Sequence, residues 1–269
     1  MNGVIAKAAG VVGVLATCGG VAAAVKTEPV AYKDETTQLE GYLAYEESAD
    51  LRRPLVLVVH EWRGLDDYAK RRARQIAELG YVAFAVDMYG KGVVAANRQE
   101  AARLAGTYKS DRPLMRRRIT AGLNAVKDHP RVDADRMAAI GYCFGGTVAL
   151  ELARSGADLD GVVSFHGGLD TPDPAVGRNI RAKVLVLTGA DDRSVPLSQI
   201  ADYMDEMRKG EVDYQIVIYG GAVHAFTNPA AGDDPSTNAA YNAKADRRSW
   251  EAMKDFLAEI FRKPPVRSP

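Results

Sequence analysis

The sequence predicts an α/β fold: a mostly parallel central sheet with helices on both faces, three layers in all, preceded by an antiparallel hairpin. Three observations carry this. Residues 55–59, 82–86 and 184–188 are apolar runs without polar alternation, as expected of strands buried on both faces. Stretches of ten or more residues with helical spacing separate such runs, which is the signature of crossovers between parallel neighbours. The 269 residues are 47% hydrophobic, with 35 basic and 35 acidic side chains, so the chain has material for a large core.

In order along the chain, residues 30–35 and 37–44 read as the hairpin, turning near Asp34 and Glu35. Strand 55–59 follows Pro54 and ends in the polar break His60-Glu61-Trp62-Arg63-Gly64. A helix over 67–79 stops at Gly80, and strand 82–86 ends in Asp87-Met88-Tyr89-Gly90. Helices are expected over 99–108 and, after Pro113, over 114–127, where Ile119, Leu123 and Val126 share a face. Strand 135–142 passes through a glycine-flanked turn into helix 144–154. Strands follow at 161–165, 184–188 and 215–219, with a helix over 196–208 before the last and a final helix over 239–261. No repeat or low-complexity linker interrupts 25–262, which reads as one domain, and the Pro-rich stretch 263–269 reads as a disordered tail.

The amino terminus differs in kind. Lys7 is followed by an uncharged stretch over 8–25, and Ala22-Ala23-Ala24 supplies the small residues of a cleavage site. Residues 1–24 are therefore expected to be a signal peptide cleaved after Ala24, placing the protein in the periplasm. A lipid anchor at Cys18 or an uncleaved membrane tether are the alternatives. Loss of this segment would leave Cys143 as the sole thiol of the mature chain, with no disulfide partner. The even charge balance and the absence of a basic block argue against nucleic acid or an anionic membrane as partner; Arg116-Arg117-Arg118 reads as a solvated helix face. The expected partner is a small molecule, the expected state a monomer, and the chemistry below calls for no cofactor and no metal.

In such sheets functional groups collect at the carboxyl ends of the strands. Gly141-Tyr142-Cys143-Phe144-Gly145-Gly146 has the form of a nucleophile elbow with cysteine at the tip. Alone the pattern is weak, since a free cysteine is often a small buried hydrophobe. Two further loops strengthen it: Gly189 to Pro196, carrying Asp191 and Asp192, and Gly220 to Phe226, carrying His224. The order nucleophile, acid, histidine is that of the α/β-hydrolase triad. Asp192, three residues before Val195-Pro196, is the expected acid and Asp191 a loop cap. Of four histidines, His224 is the expected base; His129 sits in a surface-type turn, and His60 and His166 end strands, where a packed, hydrogen-bonded ring is expected.

With these residues in hand the chain resembles the dienelactone hydrolase family of α/β-hydrolases. The resemblance rests on His60-Glu61-Trp62-Arg63-Gly64, Asp87-Met88-Tyr89, the elbow, Gly189 to Pro196 and His224-Ala225-Phe226. It implies a Cys143–His224–Asp192 triad. It also implies that Glu61 holds the thiol in the empty site and is displaced by substrate. The backbone N–H groups of Phe144, at a helix start, and of Trp62 would form the oxyanion hole. A free thiol has a pKa of about 8.5, so an adjacent oriented histidine must raise its thiolate fraction. That same thiolate leaves a tetrahedral intermediate more readily than an alkoxide, which restricts productive substrates to those with stable leaving groups, such as enol lactones and activated esters. The expected reaction is hydrolysis of such a bond through a thioester. A general carboxylesterase or thioesterase of the same fold is the alternative, and a non-catalytic exported binding protein the alternative from another class.

Substrate recognition departs from the family pattern. Two arginines that grip a substrate carboxylate in the family fall on Lys91 and Asn228 here. Lysine keeps the charge but loses the bidentate fork, and asparagine has no charge. Tyr89, Lys91, Arg63, Phe226 and Asn228 are the expected substrate-binding residues, with Arg63 as a compensating cation. The loop 227–238, rich in Asn, Pro, Gly and Asp, is expected to form a mobile wall of the cleft.

Overall fold

The computed structural model describes residues 24–47 and 51–262. The expected signal peptide, apart from Ala24, and the expected tail lie outside the described residues. Among the described residues no helix is long and apolar enough to cross a membrane.

Eight strands form one sheet: β1 (Val25–Asp34), β2 (Thr37–Glu46), β3 (Arg53–Val59), β4 (Val82–Val86), β5 (Val132–Tyr142), β6 (Gly161–Phe165), β7 (Lys183–Gly189) and β8 (Tyr214–Tyr219). Their spatial order is β1-β2-β4-β3-β5-β6-β7-β8. The hairpin β1–β2 is antiparallel and joins β4 antiparallel, while β4, β3 and all strands beyond are parallel. Six helices cover the sheet: α1 (Asp67–Glu78), α2 (Arg98–Ser110), α3 (Arg112–Val126), α4 (Phe144–Arg154), α5 (Leu197–Lys209) and α6 (Ala243–Ile260).

The strand residues divide by parity between two cores, as the two-residue period of a strand requires. Leu55, Leu57 and Val59 of β3, with Val82, Phe84 and Val86 of β4, face Met115 and Ile119 of α3, Val148 and Leu152 of α4, and Ile200 and Tyr203 of α5. Val56 and Val58, with Ala83 and Ala85, face Ile76 of α1 and Met253, Phe256 and Leu257 of α6. The three layers and the N-terminal hairpin are those expected from the sequence.

The differences are local. Helix α3 begins at Arg112 because Asp111 caps it, accepting from Leu114 N–H at 2.9 Å, and Pro113 fits its first turn, where no N–H is needed. Helix α6 begins at Ala243, later than expected. Residues 239–242 are instead drawn to the loop after β8: Ala240 N–H reaches His224 O at 3.1 Å, Asn242 N–H reaches Phe226 O at 3.0 Å, and Asn242 Oδ1 caps the helix. The loop expected to be a mobile wall is tied down by the same region. Asn238, in the left-handed conformation, accepts from Arg193 N–H at 2.8 Å and donates to Ser194 Oγ at 3.0 Å. Its asparagine and proline residues make short 3₁₀ turns at Pro229–Ala231 and Pro235–Thr237.

Candidate active site

The elbow between β5 and α4 shows why its glycines are needed. Cys143 has φ 54° and ψ −117°, a conformation that a residue with a side chain holds only when its surroundings impose it. A Cβ on Gly141 would strike the backbone of Gly145, and one on Gly145 would strike Val59 O. Helix α4 can therefore approach β3 and β5 only with these positions bare. The elbow amide is held twice: Cys143 N–H donates to Phe165 O at 3.0 Å and to His166 Nδ1 at 3.1 Å.

The three loops expected to converge do so. His224 Nε2 lies 3.0 Å from Cys143 Sγ, and His224 Nδ1 lies 2.9 Å from Asp192 Oδ2. The Asp192 carboxylate is buried, and its second oxygen accepts from Ser194 N–H at 2.8 Å. Asp191 is exposed, and its backbone N–H, not its side chain, closes the loop onto Ala222 O. Burial would lower the His224 pKa, but the neighbouring Cys143 sulfur and the Asp192 carboxylate outweigh it and hold the imidazole well above its ordinary range. The row thus favours an imidazolium beside the sulfur.

Glu61 makes its hydrogen bond to Asn228 and not to the thiol. The thiol is hydrogen-bonded to His224, while Glu61 Oε2 accepts from Asn228 Nδ2 at 2.6 Å. Glu61 Oε1 is buried without a hydrogen-bond partner. Burial, only partly offset by Asn228, pushes this carboxyl up to about 7. Asn228 supplies this buried carboxyl with a donor.

The expected oxyanion donors flank this row. Phe144 heads α4, so its N–H has no acceptor within the helix, and among the described residues neither it nor Trp62 N–H is engaged by another group. One side chain steadies both residues. Tyr89 packs its ring 5.5 Å from that of Phe144 and donates its hydroxyl to Trp62 O at 3.0 Å. Arg98 stacks 5.6 Å over the Trp62 ring.

The remaining expected substrate-binding residues are committed elsewhere. Lys91 pairs with Glu40 of β2 at 2.7 Å. Arg63 donates to Ala95 O at 2.9 Å, bracing the loop that follows β4. Phe226 is fully buried between His166 and Tyr219, a core residue beneath the base. Asn228 holds Glu61, as above. The two strand-end histidines are packed and bonded as expected: His60 Nε2 accepts from Met88 N–H at 3.3 Å, and His166 Nε2 lies 2.8 Å from Thr227 Oγ1. His129 lies away from this row, against Tyr45 and Glu28. Sequence reasoning missed Thr227 and Arg72. Arg72 of α1 donates to Thr227 O at 2.9 Å and pairs with Asp246 of α6 at 2.6 Å, tying the base loop to the far layer. Only an arginine on the apolar face of α1 hinted at it.

A model of the dienelactone hydrolase family matches residues 39–261. The chain belongs to the dienelactone hydrolase family. Among solved structures, a dienelactone hydrolase-like promiscuous phosphotriesterase from metagenomic libraries is 41% identical, with a TM-score of 0.85, covering 89% of this chain and 100% of that one. The protein m3DLH is also 41% identical, with a TM-score of 0.85 over 88% of this chain and 99% of its own. Among curated proteins, the "Putative carboxymethylenebutenolidase" of Aquifex aeolicus is 28% identical over 233 residues, 85% of this chain and 96% of that relative. The chain is thus a hydrolase of this family.

Proposed function

We propose that this hydrolase cleaves enol lactones and activated esters through Cys143, His224 and Asp192, by way of a thioester. The observation that carries the reading is the unbroken row from Sγ through the imidazole to a buried carboxylate, with contacts of 3.0 and 2.9 Å, at the carboxyl edge of a parallel sheet. The thiolate attacks the carbonyl carbon, and the carbonyl electron pair moves to oxygen, received by the N–H groups of Phe144 and Trp62. Collapse of the intermediate expels the enolate or aryloxide, and the His224 proton neutralises it. Neutral His224 then takes a proton from water, the hydroxide adds to the thioester, and the thiolate leaves with the acid product formed.

The recognition positions support a neutral acyl group. Lys91, Arg63 and Asn228 each meet a protein partner, so the groups that would grip a carboxylate are already engaged. Relatives named "Putative carboxymethylenebutenolidase" and "Probable 2-oxo-3-(5-oxofuran-2-ylidene)propanoate lactonase" support lactones as a substrate class. Phosphotriesters with an aryl leaving group are a second class, supported by the 41% identical relative named as a promiscuous phosphotriesterase. The test is a panel of enol lactones, aryl esters, alkyl esters, thioesters and an aryl dialkyl phosphate, with Cys143→Ala as control. Turnover confined to good leaving groups and lost in the control is expected. Alkyl ester turnover at the aryl rate would favour the general esterase. No turnover, with no covalent labelling of Cys143, would favour a binding protein. Export through residues 1–24 is proposed on sequence grounds, and a mature chain beginning at Val25 is the expected result of N-terminal sequencing.

A further inference from the structure

One buried ring touches both the nucleophile's backbone and the base. His166, just after β6, is completely buried and has φ 41°, a conformation that a residue with a side chain holds only when its surroundings impose it. Its Nδ1 is 3.1 Å from the Cys143 amide, which can only donate, so Nδ1 is the acceptor and the proton sits on Nε2. Nε2–H then donates to Thr227 Oγ1 at 2.8 Å. The chain of donors closes consistently beyond it. The Thr227 hydroxyl lies 2.7 Å from Tyr68 Oη, Arg72 Nε donates to Tyr68 Oη at 3.2 Å, and Tyr68 donates to Thr227 O at 3.3 Å. The Cys143 amide sets the His166 tautomer, and the remaining contacts of the series are compatible with it.

The ring also packs edge-to-face on the base, with centroids 5.3 Å apart at 69°, and on Phe226 at 5.1 Å. The groups facing it from neighbouring elements are Cys143 of the elbow, His224 and Thr227 of the base loop, Tyr142 of β5, and Tyr68 and Arg72 of α1. Burial first, and then the charges of His224 and Arg72, keep His166 well below its ordinary range, so it stays neutral while His224 is charged. The neutral imidazole presents an acceptor on one edge, a donor on the other and a flat face between them.

We propose that His166 is a positioning residue. It fixes the Cys143 elbow and the His224 ring relative to one another, through Nδ1 and through ring contact, and Thr227 holds it in the tautomer that does so. The inference rests on the reading of Cys143 as nucleophile and His224 as base. It differs from a core-packing role, in which ring volume alone would suffice.

The test uses three variants of the full chain. His166→Phe keeps the ring and removes the acceptor; His166→Asn places an amide oxygen near the Nδ1 position; Thr227→Val frees the tautomer. His166→Phe is expected to lose about 10- to 100-fold in kcat with KM within about 3-fold, because misplacing a reacting atom by about 1 Å costs about 100-fold. The pH at which iodoacetamide alkylates Cys143 at half its maximal rate should rise. His166→Asn should recover most of both readouts, and Thr227→Val should move them in the direction of His166→Phe. Wild-type kcat and an unshifted alkylation profile in His166→Phe would overturn the proposal, as would a His166→Asn no better than His166→Phe. Should His166→Phe not fold, Thr227→Val decides: a wild-type profile there overturns the proposal. Turnover that survives Cys143→Ala would instead remove the reading on which it rests, whereas Cys143-dependent turnover indifferent to position 166 would remove this inference alone.

Discussion

Two groups of residues are built differently, those proposed to carry the reaction and those proposed to recognise substrate. On the reaction side, Cys143, His224 and Asp192 form a continuous series, and the backbone around each is fixed by the sheet, the elbow glycines or the Asn238 clamp. On the recognition side, Lys91, Arg63 and Asn228 are side chains on loops, each with a partner that another residue could replace. The contrast teaches where specificity can change without loss of chemistry. Geometry set by the fold tolerates little alteration, while Asn228, where the resemblance implies an arginine, holds Glu61.

The largest effect is expected from removing the proposed nucleophile. Cys143→Ala is expected to lower kcat/KM by about 10⁵-fold or more, since members of such a row act as a unit. A loss of under about 10-fold, measured on an aryl ester, would move the reaction elsewhere. Asp192→Asn should cost about 10³- to 10⁴-fold by allowing the wrong imidazole tautomer, with the Cys143 alkylation rate falling in parallel. An Asp191→Asn variant serves as the matched control, because that side chain is exposed. Equal losses at both positions would contradict the assignment of the acid.

Glu61 lies where the two sides meet, and its effect is on stability. Its folded pKa of about 7 is above the ordinary 4.5, because burial disfavours the charge. The folded state therefore binds a proton that the unfolded state releases, and stability falls as pH rises from 4.5 to 7. Glu61→Gln, which cannot ionise, should match wild type near pH 4.5 and be more stable at pH 8.5 by up to about 3 kcal/mol. Urea unfolding at the two pH values measures the difference. A gap that does not change with pH would mean that Glu61 is not held protonated by its surroundings.

Much of this was legible from the sequence. Apolar runs and helical spacing place every strand and helix, because burial on two faces and the 3.6-residue period leave plain patterns. That Cys143, His224 and Asp192 come together was legible because each follows a strand in one order. Side-chain allegiance was not. Nothing in Lys91 or Asn228 as letters says that Glu40 lies beside one and a buried carboxylate beside the other. Thr227 and Arg72 escaped notice for the same reason, since their partners come from segments more than 60 residues away: His166 and Tyr68 for the one, Asp246 for the other. The late start of α6 had a local cause, the backbone bonds that draw residues 239–242 onto the base loop.

The smallest effect is expected at Lys91. Of the two positions where the resemblance implies an arginine, Lys91 keeps a cation, so it is the fair trial of carboxylate recognition. Its ammonium is over half exposed and pairs with Glu40, a surface ion pair of the kind worth about 0–1 kcal/mol. If the recognition side is as free of the chemistry as its partners suggest, Lys91→Met should change kcat/KM by less than about 3-fold on a neutral aryl ester and on a carboxylate-bearing enol lactone alike, with under about 1 kcal/mol of lost stability. A substrate carboxylate bound by Lys91 would instead be left unpaired by the variant, costing the carboxylate-bearing lactone roughly 10-fold or more while sparing the neutral ester. Because the neutral ester reports the reaction side and the lactone the recognition side, the ratio of the two losses separates the two groups in a single variant. A ratio near one leaves the recognition positions to the protein's own contacts; a ratio of ten or more returns Lys91 to the substrate.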